Sequence, residues 1–166
     1  MEATKQRQRI YSWGNPLEGV ELSKELSGLE YLQAIKRGEA PASPLINTLD
    51  FSLGELEAGK ASFQFEPQEF HYNPNGSVHG GVITAILDSA MGCTLHSLLP
   101  KGTVYTTLEL KVNFLKRVHD KSGVLTATGK MIHLGNSTAL VEAELTDESG
   151  KKYAYAVSTC ILLKNE

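Results

Sequence analysis

The chain has 166 residues, of which 41% are hydrophobic and 21% charged, a balance typical of one soluble globular domain rather than of a disordered chain. A formal net charge of −3 argues against binding to duplex nucleic acid, because proteins that bind it usually carry clustered positive charge. Two cysteines, Cys93 and Cys160, are too few for a disulfide scaffold. The first residues lack an apolar signal segment and no stretch reaches bilayer length, so we expect a cytoplasmic protein without a membrane span.

The first 44 residues are predicted to form an N-terminal arm and helix outside the main domain. Residues 1–21 are polar with scattered apolar side chains and predict an irregular lead-in. Ser27 and Glu30 have the spacing of a helix capping box, and apolar residues follow at helical intervals. This pattern predicts a helix over residues 24–38, which the proline-containing run at 41–44 ends. We expect that helix to cover one edge of a main domain spanning residues 45–166.

The main domain is predicted to contain six strands, two before a long helix and four after it. The first two strands, residues 47–57 and 60–67, meet in a hairpin turn at Ala58 and Gly59. A loop rich in glycine and asparagine follows, and an apolar helix is predicted over residues 81–99. The last four strands are predicted at residues 103–116, 122–134, 137–147 and 151–163. This order predicts an α+β fold in which one antiparallel sheet covers the long helix.

The strand after the long helix alternates strictly between apolar and polar residues, as in a strand with one buried face. Its predicted core face consists of Leu108, Leu110, Val112 and Phe114. Its predicted outer face consists of Thr107, Glu109, Lys111 and Asn113.

The long helix is apolar on nearly all sides and carries one ionisable side chain in its interior, Asp88. Burying an unpaired carboxylate is unfavourable or raises its pKa, so Asp88 is a candidate catalytic group. A solvated aspartate at a helix edge, or a structural hydrogen-bond anchor, is the alternative. A stripe of small and polar residues, which leaves room for a ligand or a second helix, is formed by Gly81, Thr84, Asp88 and Gly92.

The start of the long helix is a candidate oxyanion site. Gly80 and Gly81 let a ligand approach free backbone amides at the positive end of the helix dipole, although a tight turn alone would also favour glycine. Gly80 and Asp88 are eight residues apart, about 12 Å along a helix. A catalytic base and an oxyanion donor must both lie about 3 Å from the reacting carbonyl group. Two antiparallel copies of the helix would satisfy this requirement, so we predict a site shared by two subunits of a dimer.

Three segments together resemble one known family. They are the loop and helix start from Asn73 to Val82, with its His-Gly-Gly motif, the run Leu-Asp-Ser-Ala at 87–90, and the alternating strand at 107–114. With these segments the chain resembles the hot-dog-fold acyl-CoA thioesterases of the phenylacetate-pathway (PaaI-like) family. The resemblance extends over about residues 45–163. It implies a hot-dog fold, in which an antiparallel sheet wraps a long central helix and the subunits form homodimers, often homotetramers.

The resemblance also implies a role for individual residues in hydrolysing an acyl-CoA to free acid and coenzyme A. Asp88 would act as nucleophile or as general base on water, and the amide of Gly80 would polarise the thioester carbonyl. Asn73 and His79 would support the Gly80 end of the site. A hydroxyl from Thr107 would assist Asp88, and the loop near residue 101 leaves Thr106 as the alternative in this alignment.

The substrate would also contact a second set of residues, namely Gly81, Ser89 and Thr106. Coenzyme A would enter as part of the substrate, with no separate cofactor and no metal. Its phosphates could meet basic residues that are equally well explained as ordinary surface side chains, namely Lys101, Lys111, Lys116, Arg117 and Lys130.

Other kinds of site receive less support from the sequence. Cys93 and His96 are three residues apart, but no zinc-binding spacing joins the histidines. Ser89 lacks the flanking glycines of a serine hydrolase, and the glycine-rich loop lacks the lysine of a nucleotide-binding loop. A hot-dog hydratase or dehydratase would pair its acid with a histidine, which Asp88 lacks in the sequence. A non-catalytic acyl-binding protein remains open, because the small-residue stripe also suits packing between subunits.

Overall fold

The computed structural model describes residues 6–164, so the ends of the predicted arm and main domain, at 1–5 and 165–166, lie outside it. The strands are β1 (Phe51–Glu57), β2 (Lys60–Phe65), β3 (Thr103–Phe114), β4 (Leu125–Leu134), β5 (Thr138–Asp147) and β6 (Lys152–Lys164). They form one sheet in the order β1-β2-β4-β5-β6-β3, and every neighbouring pair is antiparallel. The predicted α+β order, with two strands before the long helix and four after it, is confirmed.

The helices are α1 (Pro16–Ser23), α2 (Gly28–Lys36), α3 (Pro44–Leu49) and α4 (Gly80–His96). The long helix α4 lies against the sheet and contacts β2, β3, β4, β5 and β6. A side chain at Gly129 of β4 would place its Cβ 2.5 Å from the backbone oxygen of Ala90. Glycine at this position therefore lets α4 approach the sheet closely. Among the described residues, no helix is both long and apolar enough to cross a bilayer.

The helix α4 is less uniformly buried than the sequence predicts. Residues such as Ile86, Leu87 and Ala90 are fully buried against the sheet. Along the opposite side, Gly81 is exposed, and Thr84 and Asp88 are half-buried. The predicted stripe of small and polar residues is therefore exposed or half-buried from Gly81 to Asp88, whereas Gly92 at its end is buried. The helix also ends at His96 rather than at residue 99.

Residues 6–49 contain three helices where the sequence predicted one. Asn15 caps α1, accepting a hydrogen bond from the Leu17 amide at 3.1 Å, and proline occupies the first helical position. The predicted irregular lead-in over residues 1–21 is therefore wrong from Pro16 onward. The helix α3 begins with another proline and occupies residues 44–49, so the predicted strand start at residue 47 is also wrong.

The predicted capping box of α2 is confirmed, but the helix starts at Gly28 rather than at residue 24. The Ser27 amide donates to Glu30 Oε2 at 2.9 Å, and the Ser27 hydroxyl oxygen accepts from the Glu30 amide at 3.4 Å. The Gly28 amide donates to the Leu99 carbonyl oxygen at 3.0 Å. A Cβ at Gly28 would lie 1.8 Å from the His96 carbonyl oxygen, so the start of α2 packs directly on the end of α4.

The edge strand β3 contains a bulge that interrupts its predicted alternation. Thr107 pairs with Cys160 of β6, whereas Glu109 pairs with Thr159, which leaves Leu108 as the extra residue. Leu108 is 59% exposed, so its predicted place on the core face is wrong. The side chains of β3 change phase at the bulge. Thr107 therefore faces α4, on the same side of the sheet as the core residues that follow the bulge.

Candidate functional site

Asp88 lies in the middle of α4, and its closest hydrogen-bond partner comes from β3. The hydroxyl of Thr107 donates to Asp88 Oδ1 at 3.2 Å. Burial raises the pKa of the Asp88 carboxyl group, and the Thr107 hydrogen bond lowers it by less, so the pKa lies above its ordinary value. A carboxylate with a raised pKa is a stronger base than an ordinary aspartate, and therefore better suited to take a proton from water.

The start of α4 presents one free amide rather than the two that the sequence suggested. His79 is the N-cap of the helix, and its Nδ1 accepts a hydrogen bond from the Gly81 amide at 2.9 Å. The Gly80 amide donates to no atom within residues 6–164. His79 thus satisfies one amide and leaves the other pointing out of the helix, where it can bind an anionic oxygen.

A cavity of about 390 Å³ opens beside Gly80, and Asn73 and Phe114 contribute to its wall. Asn73 shapes the preceding loop, because its Oδ1 accepts a hydrogen bond from the Asn75 amide at 2.9 Å. The Arg117 guanidinium braces the same loop by donating to the Gly76 carbonyl oxygen at 3.1 Å. The predicted residues Asn73 and Gly80 therefore lie at one pole, whose cavity does not include Asp88.

The predicted site residues consequently fall into two groups within one chain. Asp88 and Thr107 form the first group, and Ser89 lies beside them, with its hydroxyl donating to the Ala85 carbonyl oxygen at 2.8 Å. The second group, at the start of α4, consists of Asn73, His79, Gly80 and Gly81. Thr106 belongs to neither group, because it is exposed on the outer face of β3. The family resemblance left either Thr106 or Thr107 as the hydroxyl that assists Asp88. In the structure, Thr107 is the one that points towards Asp88.

Tyr105, which the sequence did not single out, lies two residues before Thr107 on the same face of β3. A Cβ at Gly92 would lie 2.1 Å from the Tyr105 hydroxyl oxygen, so the glycine makes room for the phenol. Burial raises the pKa of Tyr105 well above its ordinary value, with smaller contributions from nearby acidic groups that include Cys93 and Asp88. The phenol therefore stays neutral near the carboxylate. Gly92 in the small-residue stripe was the signal for a close neighbour, but it did not identify which side chain would fill the space.

Within the part of the chain that the structure describes, no three histidine, cysteine, aspartate or glutamate side chains are close enough to hold a metal ion. Asp88 also has no histidine among its hydrogen-bond partners there, since Thr107 supplies the bond. The arrangement offers a carboxylate with a raised pKa at one end and an unpartnered amide at the other. These groups suit acid–base chemistry on a carbonyl compound.

The chain is similar to proteins of one family. The family model for the thioesterase superfamily matches residues 75–154. A 1,4-dihydroxy-2-naphthoyl-CoA hydrolase of Listeria monocytogenes is 30% identical over 118 residues, which are 71% of this chain and 93% of that protein. The structure of a phenylacetic acid degradation-related protein of Ralstonia eutropha JMP134 is 28% identical with a TM-score of 0.70, covering 78% of this chain and 97% of that one.

A further solved structure supports the fold alone. It is the E. coli PaaI protein from the phenylacetic acid degradation operon, which is 20% identical with a TM-score of 0.71 and covers 84% of this chain and 97% of that one. The six-stranded antiparallel sheet around α4 is the same architecture. By its sequence match and by this architecture, the chain belongs to the thioesterase superfamily and has the hot-dog fold of its PaaI-like members.

Proposed function

We propose that the protein is an acyl-CoA thioesterase, which hydrolyses its substrate to a free acid and coenzyme A at a site shared by two copies of the chain. The proposal is carried by the separation of two complementary groups on one helix. Asp88 and the unpartnered Gly80 amide are eight residues apart, about 12 Å along α4, so one chain cannot apply both to one carbonyl group. Two antiparallel copies of α4 would bring Asp88 of one chain beside Gly80 of the other.

The proposed chemistry uses each group for one step. Asp88 either takes a proton from the water that attacks the thioester carbonyl carbon or attacks that carbon itself, and Thr107 holds the carboxylate in place. The Gly80 amide stabilises the negative charge that develops on the carbonyl oxygen. Collapse of the tetrahedral intermediate then breaks the carbon–sulfur bond. If Asp88 acts as base, its proton passes to the leaving thiolate; if Asp88 acts as nucleophile, water hydrolyses the resulting acyl–Asp88 anhydride and protonates the thiolate, so both routes end in free acid and coenzyme A. The substrate thus brings the coenzyme with it, and the reaction requires no further cofactor or metal.

The acyl-CoA class is supported by the Listeria relative, whose name is that of a CoA-thioester hydrolase. The hydratase alternative gains no support, because the hydroxyl of Thr107, not a histidine, bonds to Asp88. The non-catalytic alternative predicts binding of acyl-CoA without release of thiol. Pairing of two dimers into a homotetramer is part of the proposal, although the shared site requires only the dimer.

The experiment measures free thiol released from a panel of acyl-CoAs by the parent protein, by Asp88→Asn and by the matched control Glu148→Gln. Glu148 is exposed in the turn between β5 and β6, so the control removes a carboxylate far from the site. We expect Asp88→Asn to lose about 10²–10⁴-fold in kcat and the control to retain the parental rate. An Asp88→Asn rate within about threefold of the parental rate would remove Asp88 from the mechanism. Binding without thiol release by the parent would favour the non-catalytic alternative.

A further inference from the structure

A second cavity, of about 280 Å³, lies between the N-terminal helices and the C-terminal half of α4. Most of its wall comes from residues 16–63, and α4 closes it with Cys93 and His96. The cavity is partly open to solvent. The cavity is distinct from the one beside Gly80, with which it shares no residue.

This cavity lies along α4 from Asp88. Ser89 and Cys93 are four residues apart and therefore share one face of the helix, and Ser89 is next to Asp88 in the chain. Cys93 is five residues beyond Asp88, about 7.5 Å along the axis. The ring of Tyr105 on β3 is 5.8 Å from the ring of His96, measured between centroids, so the wall of the cavity adjoins the strand that contacts Asp88.

The wall of this cavity is uncharged at neutral pH. Among residues 6–164, none that lines the cavity is an aspartate, glutamate, lysine or arginine. Burial raises the pKa of the Cys93 thiol to about 12 and lowers the pKa of the His96 imidazole. The remaining wall is mainly apolar, with side chains such as Leu32, Ile35 and Phe63. Such a wall favours an apolar group and disfavours a phosphate or carboxylate.

The outer wall of the cavity is attached to α4. The Gly28 amide at the start of α2 donates to the Leu99 carbonyl oxygen at 3.0 Å. The ring of Tyr31 lies 5.8 Å from the ring of His96, measured between centroids. These contacts join α2 to the helix that carries Asp88.

We infer that this cavity receives the apolar acyl group of the substrate, so that the N-terminal helices determine which acyl groups the protein accepts. The inference rests on the proposed function, which places the thioester carbonyl at Asp88. With the carbonyl there, an acetyl group ends before Cys93, whereas a longer apolar chain continues past Ser89 into the cavity.

The test fills the cavity and asks whether the effect depends on acyl length. Ala42 is a small, half-buried residue of the wall, and Ala42→Phe adds a ring inside it. The matched control, Ala58→Phe, adds the same ring to the exposed turn between β1 and β2. The probes are acetyl-, hexanoyl- and decanoyl-CoA. We expect Ala42→Phe to lose about tenfold or more in kcat/KM for decanoyl-CoA and to hydrolyse acetyl-CoA at the parental rate. The control should match the parent for all three probes.

Circular dichroism would reveal whether Ala42→Phe misfolds. A second variant tests the inference in that case. Ile35→Ala enlarges the same wall, and we expect it to shift preference towards the longer probes. An effect that is equal for all three acyl lengths, or no effect from either wall variant, would overturn the inference.

A binding measurement separates this inference from the proposed function. Non-hydrolysable thioether analogues of the same three acyl-CoAs are titrated calorimetrically into the parent and into Ala42→Phe. Affinity for the parent should increase with acyl length, and Ala42→Phe should abolish that increase. If the parent hydrolyses none of the substrates, the proposed function fails. The dependence of affinity on acyl length still shows whether the cavity binds the acyl group. Affinity that is independent of acyl length contradicts the inference even if hydrolysis is observed.

Discussion

The hydroxyl of Thr107 reaches the carboxylate of Asp88, at 3.2 Å, because a bulge at Leu108 directs Thr107 towards α4. With regular pairing, Thr107 would point away from the helix, on the side opposite to Leu110. One inserted residue thus gives the carboxylate its hydrogen-bond donor, as bulges near active sites commonly do.

Replacing Thr107 by valine should shift the pH dependence of the reaction. The Thr107 hydrogen bond lowers the pKa of Asp88, so its loss raises that pKa further. Since Asp88 must be ionised to act as base or nucleophile, the rise of kcat/KM with pH should move to higher pH. A pH profile of thiol release measures the shift. The comparison variant Thr106→Val, on the outer face, should keep the parental profile, and a shift in that variant instead would assign the role to Thr106.

Asp88→Asn should make the protein more stable at neutral pH while it removes activity. The raised pKa of Asp88 means that the folded protein holds this proton more tightly than the unfolded chain. The resulting penalty is absent below the ordinary pKa of 3.8, grows as pH rises to the folded-state value and is fully present above it. Thermal unfolding should therefore show a higher Tm for Asp88→Asn at pH 7. The difference should shrink as the pH is lowered, and a lower Tm for the variant at pH 7 would contradict this account.

The active protein should be at least a dimer in solution. The proposed shared site needs two copies of α4, and β3 is an edge strand with an open side among the described residues. Light scattering on an active sample should give at least twice the chain mass of 18.1 kDa. A fully active sample with the mass of one chain would eliminate the shared site.

Two inactive variants should restore activity when their subunits are mixed. Asp88→Ala removes the carboxylate, and Gly80→Val obstructs approach to the Gly80 amide. In a heterodimer of the two, one site carries both defects and the other carries neither. Random exchange of subunits should then return about a quarter of the parental rate per subunit.

This experiment depends on a folded Gly80→Val variant. A Cβ at Gly80 would lie 3.0 Å from Cζ of Phe114, a ring that is 55% exposed and therefore able to move. Gly80 is also outside the set of glycines with positive φ, so its backbone accepts a side chain. A mixture of Asp88→Ala with Asp88→Asn is the control, which should stay inactive. No recovery from two folded, exchanging variants would show that each site is built from one chain.

Gly92→Ala should destabilise the protein through Tyr105. The added Cβ would lie 2.1 Å from the Tyr105 hydroxyl oxygen and 3.0 Å from its Cζ, so the ring must move. We expect a loss of about 1–3 kcal/mol in the free energy of unfolding, measured by denaturant titration. Tyr105→Phe removes the nearest atom and should recover part of the loss in the double variant. Equal losses in the single and double variants would mean that another neighbour is responsible.

The sequence predicted the long helix and the succession of strands along the chain well, because both depend on hydrophobic patterns that extend over many residues. The short helices α1 and α3 lack such patterns, yet each begins with proline after a capping-type residue, Asn15 or Ser43. That local signal would have located them. The free Gly80 amide was predicted, but the capping of Gly81 by His79 was not, since a histidine is an uncommon N-cap residue.

The bulge in β3 could not be predicted from the hydrophobic pattern of the sequence. Leu108 is apolar and lies at the position that regular alternation assigns to the core, so the sequence favours an uninterrupted strand. Its exposure follows from the pairing of β3 with β6, which is a property of two strands together. The resemblance to a family placed Thr107 near Asp88, whereas the alternation placed it on the opposite face. The bulge is the physical reason that the two expectations conflicted.

The contact between Gly28 and the end of α4 makes the N-terminal helices part of the scaffold that supports α4. The Gly28 amide hydrogen is held by the Leu99 carbonyl oxygen, so it exchanges with solvent only when α2 separates from α4. That single amide is therefore a natural reporter for hydrogen-exchange spectroscopy. Its exchange rate distinguishes a wall that opens to admit an acyl chain from one that stays closed while the chain enters along the helix.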